Sequence, residues 1–203
     1  MLVPMAVDRQ ALDPARDIYP DLLGQRIVFL GGVMDAAAAN LVAAQLIHLE
    51  SVDPDRSIDL YVNSPGGEAS SMMTIYDTMQ RVRPDVATTC IGRAASAAAV
   101  VFAAGAPGRR TMLPHARILM GRPQLPKDIT GPAVDLDIYA REAQRQKDQM
   151  IAILARHTGQ HAELIRGDME RDRWLSAVDA VAYGLADEVL VRANPASLPD
   201  SIP

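Results

Sequence analysis

Three groups of residues could carry chemistry: a lone serine, a pair of glycines and a short acidic cluster. Ser96 stands in Gly92-Arg93-Ala94-Ala95-Ser96-Ala97-Ala98-Ala99, one hydroxyl among residues with almost no side chain, at the start of an apolar segment. Unpaired amides and the helix dipole favour an oxyanion at such a place, which suits a nucleophilic serine. The same position suits a serine N-cap or a small residue at a close helix contact. Asn63-Ser64-Pro65-Gly66-Gly67 follows an apolar run. Adjacent glycines let the backbone approach a ligand and turn N–H groups toward negative charge, and they also make plain tight turns. Asp168, Glu170 and Asp172, just ahead of Trp174, offer carboxylates that either orient a base or form a solvated face. Neither glycine loop has P-loop or dinucleotide-fingerprint spacing.

A serine hydrolase also needs a base. The four histidines are His48, His115, His157 and His161. His48 falls inside an amphipathic helix, His157 and His161 flank a helix break, and His115 follows Pro114 as a turn residue before a strand. All four read as structural.

Composition narrows the classes. The chain has 203 residues, 49% of them hydrophobic and 22% charged, which is the profile of one globular domain with a substantial core. One cysteine excludes a disulfide framework and a Cys-based zinc cluster, and four histidines leave little for a metal site. A net charge of −5 and 4% aromatic residues argue against nucleic-acid binding, which needs excess cations and stacking surfaces. The longest apolar run, Ala94 to Ala104, is shorter than the roughly 20 residues that span a bilayer. No signal peptide is read in Met-Leu-Val-Pro-Met, and with the single thiol this points to the cytoplasm.

The elements that would position these residues alternate. Residues 1–20 read as an arm, Arg26–Leu30 as a strand, and Asp35 as the N-cap of a helix to Glu50. Strands are expected at Ile58–Val62, Val86–Ile91, Ala116–Met120 and Glu188–Val191. Helices are expected at 69–82, 94–104 and Ala133–His157, the last ending at Gly159. A capping box, Ser176 to Asp179, opens a further helix that stops at Gly184. The segment 121–132, with three prolines, reads as a loop or irregular ribbon. This alternation predicts an α/β fold with parallel pairing.

The residues also resemble a known family. Leu-Tyr-Val-Asn-Ser-Pro-Gly-Gly (60–67), Ile-Tyr-Asp-Thr-Met (75–79), Gly-Arg-Ala-Ala-Ser-Ala (92–97) and Leu-Pro-His-Ala-Arg-Ile-Leu-Met (113–120) are similar to blocks of the Clp protease proteolytic subunit (ClpP). His-Thr-Gly-Gln (157–160), Glu-Arg-Asp-Arg-Trp-Leu-Ser-Ala (170–177) and Tyr-Gly-Leu-Ala-Asp (183–187) continue the match, which runs from Leu2 to Val191. The resemblance implies a ClpP/crotonase-like spiral of ββα units with a protruding handle helix. It implies one domain over 21–193, the handle at approximately 121–158, an axial arm at 1–20 and a flexible tail at 194–203. It also implies seven-membered rings, homo- or hetero-oligomeric with ClpP paralogues, stacked face to face as a tetradecamer around a chamber. Unfolded polypeptide is the implied substrate, with no cofactor or metal, no nucleic acid and no membrane. ATP would act through a separate AAA+ Clp unfoldase.

Carried over by position, Ser96 matches the nucleophile, Asp172 the triad aspartate, and the backbone N–H groups of Gly67 and Ala97 the oxyanion hole. The family's histidine position is Gly121. Arg122 cannot replace it, because a guanidinium stays protonated, and His115 is expected at the far end of the same strand. Ala97-Ala98 replaces the usual Met-Gly, and Met72 or Met73 stands at a usual glycine. Gln124-Leu-Pro-Lys-Asp replaces the substrate-pairing Gly-Gly, where Pro126 lacks an N–H donor. On the expected unfoldase-docking face Tyr61 is kept, but Asp59 stands where an aromatic often lies, which implies weak docking. Three readings follow: a catalytically impaired ClpP-type subunit working in a barrel with an active paralogue, an active endopeptidase with an atypical Ser96–Asp172 site, or a non-proteolytic decoy or binding ring.

Overall fold

The apolar runs of the sequence become β1 (Ile27–Gly31), β2 (Ile58–Ser64) and β3 (Val86–Ala95), paired side by side in parallel. Parallel neighbours need a crossover. These are α2 (Ala36–Val52) between β1 and β2, and α3 (Ala69–Arg81) between β2 and β3. The Asp35 carboxylate caps α2 by accepting the Ala38 N–H at 2.8 Å, as its position in the sequence predicts. The computed structural model describes residues 14–122 and 133–191. The expected substrate-pairing segment around Pro126 and the C-terminal tail lie outside the described residues.

Strand β3 is long enough to serve two partners. Its first half, Thr88–Cys90, pairs with β4 (Arg110–Met112). Its second half, Arg93–Ala95, pairs with β5 (Arg117–Met120). The path β1-β2-β3-β4-β7 ends in β7 (Glu188–Val189), while β6 (Arg173–Ser176) adds antiparallel to β5. The α/β class and the dominance of parallel pairing follow the expectation.

Between β3 and β4 lies α4 (Ala97–Ala103), in which every residue is buried. Four alanines let the backbone come close on all faces, while Val100, Val101 and Phe102 fill the space against the core. The long helix α5 (Ala133–Thr158) ends at Gly159, whose φ of 73° suits glycine, and α6 (Ala162–Glu170) follows it. The capping box between Ser176 and Asp179 opens α7 (Ala177–Tyr183), which stops at a left-handed Gly184. Among the described residues no helix is long and apolar enough to cross a membrane.

Several expectations need correction. The arm read over residues 1–20 already contains a helix, α1 (Pro14–Gly24). Leu23 packs on the core, and the buried Arg26 guanidinium donates to the carbonyls of Leu49, Arg56 and Ser57, so the chain is anchored before β1 begins. The helix expected from residue 94 starts at Ala97, because pairing with β5 holds Ala94 and Ala95 extended. Elements β4, β6 and α6 were not foreseen.

One buried polar cluster fixes the base of α5. Arg110 donates through Nε to Asp187 Oδ2 at 3.0 Å and through Nη1 to the carbonyls of His157 and Gly184, both at 2.8 Å. His157 itself lies half-buried with Nε2 at 3.3 Å from the Tyr76 hydroxyl on α3, the rings meeting edge to face. Burial, then the positive charges of Arg110 and Arg156, hold its imidazole below the ordinary value. A base depressed in this way stays neutral in the fold while the unfolded chain takes up a proton. Its stabilising effect is therefore complete above about 6.5 and is lost as pH falls below that. His157→Gln is expected to flatten the decline of the urea midpoint below neutral pH. An unchanged slope would contradict this assignment.

Candidate active site

Topology brings three distant residues together. Ser96 is the turn between β3 and α4, and its N–H donates to the Leu119 carbonyl on β5 at 2.8 Å. The last residue of β5, Met120, pairs with the first residue of β6, Arg173. Gly121 and Asp172 are therefore the next residues out on adjacent strands. A Cβ built on Gly121 would lie 2.9 Å from Asp172 Oδ1, so the carboxylate stands over the place where a side chain would grow.

Ser96 has φ 51° and ψ −117°, a conformation that costs a non-glycine residue on the order of 1–3 kcal/mol. Pairing to β5 on one side and the buried α4 on the other impose it. The turn lifts Oγ clear of its own helix: the serine side chain makes no cap hydrogen bond and instead donates to the Arg122 carbonyl at 2.6 Å. The N-cap alternative read from the sequence thus gives way to a serine aimed at the Gly121–Arg122 backbone. Arg122 also donates through Nη2 to the Glu170 carbonyl at 3.3 Å, which ties this strand end to α6.

The glycine loop packs against the serine, backbone to backbone. A Cβ on Gly66, whose φ is 92°, would lie 2.6 Å from the Ala95 carbonyl oxygen and 3.3 Å from Ser96 Cβ. A Cβ on Gly67 would meet the Met34 carbonyl oxygen at 2.1 Å. Met34 donates to the Gly66 carbonyl at 2.9 Å and accepts from the Glu68 N–H at 3.1 Å, which leaves the Gly67 N–H outside this bridge. Ser64 braces the loop, its Oγ accepting from the Gly66 N–H and donating to the Gly32 carbonyl. Gly67→Ala is expected to cost at least the roughly 1–3 kcal/mol of an overpacked site, read by chemical denaturation. A variant as stable as the parent would show that the loop has slack.

The acidic cluster divides by its partners. Asp168 accepts from Arg173 at 2.9 Å and from the Tyr183 hydroxyl at 2.8 Å, and Glu170 pairs with Lys147 at 3.1 Å. Asp172, exposed and at φ 50°, has no hydrogen bond or ion pair among the described residues. Two of the three carboxylates are structural, and the third faces Gly121. No hydrogen bond among the described residues brings a histidine to Ser96. His115 is exposed before the start of β5, at the opposite end from Leu119.

On the other end of the sheet, Tyr61 stacks on Phe29 with ring centres 5.2 Å apart, and Tyr19 meets Phe29 edge-on at 5.9 Å. Asp59 lies two residues before Tyr61, half-buried and opposite Ile27. Phe29 and Tyr19 were missed from the sequence. Phe29 meets Tyr61 only through the β1–β2 register, and Tyr19 reaches Phe29 from the helix α1.

The family model described as Clp protease matches residues 10–193. The chain belongs to the Clp protease family. It is 54% identical over 171 residues to ATP-dependent Clp protease proteolytic subunit 3 of Nocardia farcinica, covering 84% of this chain and 77% of that protein. It is 52% identical to proteolytic subunit 1 of Corynebacterium diphtheriae over 84% of this chain and 81% of that protein. It is 53% identical to proteolytic subunit 2 of Mycobacterium tuberculosis over 85% and 80%. The chain is a ClpP-type proteolytic subunit, and its parallel sheet with flanking helices is consistent with the ClpP fold.

Proposed function

We propose that this ClpP-type subunit is catalytically impaired on its own and works in a hetero-oligomeric barrel with an active paralogue. The observation that carries this reading is the pairing at Gly121: the Asp172 carboxylate stands where a base would grow, and the Ser96 hydroxyl is engaged by the Arg122 carbonyl instead. In the reaction, Ser96 would attack the scissile carbonyl, and the N–H groups of Gly67 and Ala97 would receive the oxyanion. An imidazole held by Asp172 would take the serine proton and return it to the leaving amine. This chain supplies each part except the imidazole, and loss of one triad member leaves only a residual rate from binding and the oxyanion hole.

The assembly would be seven-membered rings with ClpP paralogues, stacked as a tetradecamer, with α5 as the handle and unfolded polypeptide as substrate. The relatives' names call them ATP-dependent, and ATP would act through a AAA+ Clp unfoldase. Docking of that unfoldase near Tyr61 is weakened by the half-buried Asp59, since covering a carboxylate with an apolar loop is costly. No cofactor takes part, and the site of work is the cytoplasm.

A second reading has its own support. Ser96 keeps the strained turn and the glycine loop keeps its close approach, so an active endopeptidase with an atypical Ser96–Asp172 site stands as the alternative. Mixing the purified chain with an active ClpP separates the two. Peptidase activity of the mixture above that of the partner alone, together with co-migration as one barrel and silence of this chain alone, is the expected result. Activity of this chain alone, abolished by Ser96→Ala, would favour the alternative. Absence of co-assembly would overturn the first reading.

A further inference from the structure

The Gly121 site raises the question of what fits between Asp172 and Ser96. Gly121 is buried, and its φ lies outside the left-handed region, so its backbone has the form a side-chain-bearing residue would adopt. The nearest atom to a Cβ built there is the Asp172 Oδ1 at 2.9 Å, and the next are side-chain carbons of Leu119 at 3.5 and 3.7 Å, ordinary contacts. Among the described residues, the one contact at that Cβ tighter than ordinary is therefore with the end of an exposed carboxylate, unpaired among those residues, on a rotatable side chain. On one side is that anion, and on the other is a serine whose hydroxyl reaches the residue after Gly121. An acceptor-only carboxylate and a hydroxyl needing a proton acceptor are matched by a planar group with a donor nitrogen on one edge and a basic nitrogen on the other. Neutral imidazole is that group, and it titrates near neutral pH.

We infer that the Gly121 site binds an imidazole supplied from outside the chain and uses it as the base for Ser96. This rests on the reading that the rest of the serine-protease site is intact. The supplied imidazole is either a small free molecule or the histidine side chain of a polypeptide lying in the site. Its N–H donates to Asp172. Its other nitrogen takes the Ser96 proton as Oγ forms a bond to the scissile carbonyl carbon, and the carbonyl π pair moves onto oxygen at the Gly67 and Ala97 N–H groups. The imidazolium then protonates the nitrogen leaving group as the C–N bond breaks, giving acyl-Ser96 and a free amine. Water, deprotonated by the same imidazole, hydrolyses the acyl group. Serine and imidazole are both regenerated, and the net change is peptide plus water to acid plus amine.

The experiment measures hydrolysis by the assembled chain of a fluorogenic peptide free of histidine, with increasing imidazole. Pyrazole, of similar shape but far weaker basicity, is the control, and matched peptides with histidine placed beside the scissile bond form a second arm. A saturable rise of at least about tenfold with imidazole is expected, a small part of the roughly 10²–10⁴ of positioned acid–base catalysis. It should be lost in Ser96→Ala and reduced in Asp172→Asn. Selective cleavage of the histidine peptides without free imidazole would assign the source to the substrate, and rescue by imidazole alone would assign it to a small molecule. No rise in either arm, with a folded and active Gly121→His variant, would overturn the inference while sparing the intact-site reading. No rise in either arm, with a folded but inactive Gly121→His variant, would overturn both.

Discussion

Gly121→His is expected to raise peptide hydrolysis by this chain on the order of 10²–10⁴-fold, the usual contribution of a positioned acid–base group. The expectation rests on what the substitution disturbs. The backbone at Gly121 already has a conformation open to any residue, and Leu119 stands at normal distance. At the Cβ position the Asp172 carboxylate must withdraw, and it breaks no hydrogen bond or ion pair among the described residues in doing so. Once displaced, it becomes the acceptor that orients the new imidazole and stabilises the imidazolium. The cost falls on the Ser96 hydroxyl, which must leave the Arg122 carbonyl, and on the ordering of one histidine side chain. Both are small beside the gain in transition-state stabilisation. The measurement is kcat/KM on a short fluorogenic peptide, with Gly121→Ala as the control for filling the site without supplying a base. A folded Gly121→His chain that is no faster than Gly121→Ala would show that the serine and its oxyanion donors are out of alignment as well.

Arg110→Ala is expected to cost roughly 3–5 kcal/mol, the range for removing one partner of a buried ion pair. Arg110 and Asp187 side chains are 10% and 20% exposed, so little solvent is at hand to replace the guanidinium. The loss goes beyond the pair, because the carbonyls of His157 and Gly184 lose their donor too. Against a typical total of about 5–15 kcal/mol, that is a large share of the fold. Burial alone would raise the Asp187 carboxyl, but its hydrogen bonds to Arg110 hold it below the ordinary value. A carboxyl depressed in the fold stabilises above its unfolded pKa of about 3.9 and loses that contribution as pH falls through the lower, folded value. In Arg110→Ala this part of the acid sensitivity should disappear. Arg110→Lys should recover only part of the loss, since an ammonium cannot reproduce the fork to Asp187 and the two carbonyls. Urea unfolding at neutral and acid pH measures both effects, and a midpoint within experimental error of the parent would refute the first.

Much of this was legible in the sequence, for reasons that differ by residue. Asp35, the Ser176–Asp179 box, Gly159 and Gly184 act on their own neighbours, so their local chemistry sets helix ends wherever the chain goes. Ser96 and the Gly66-Gly67 loop stood out because small residues concentrate where backbones must touch. The resemblance to ClpP added Asp172, which local pattern alone could not separate from Asp168 and Glu170. What failed depended on distant partners. Arg-Thr-Met in β4 and Arg-Trp-Leu-Ser in β6 are too short and polar to announce strands, and they are extended because a neighbour pairs with them. Ala94 and Ala95 have strong helix propensity, yet β5 holds them in β3. The contact between the Ser96 hydroxyl and the Arg122 carbonyl left no trace in residue types, because its acceptor is backbone.

The antiparallel junction of β5 and β6 also has a consequence for the order of events during synthesis. Met120 and Arg173 become neighbours only after all of α5 and α6 have been made. Pairings between segments so far apart in the chain form late, because the loop between them must be closed first. A ribosome would therefore release β1 to β5, which together set the turn at Ser96, well before Asp172 and the β6 strand that follows it could arrive. A nascent chain of this design holds Ser96 and Gly121 without Asp172 beside them until the last third of the polypeptide has emerged. The meeting of Gly121 with Asp172 is thus postponed to the last third of translation by topology alone.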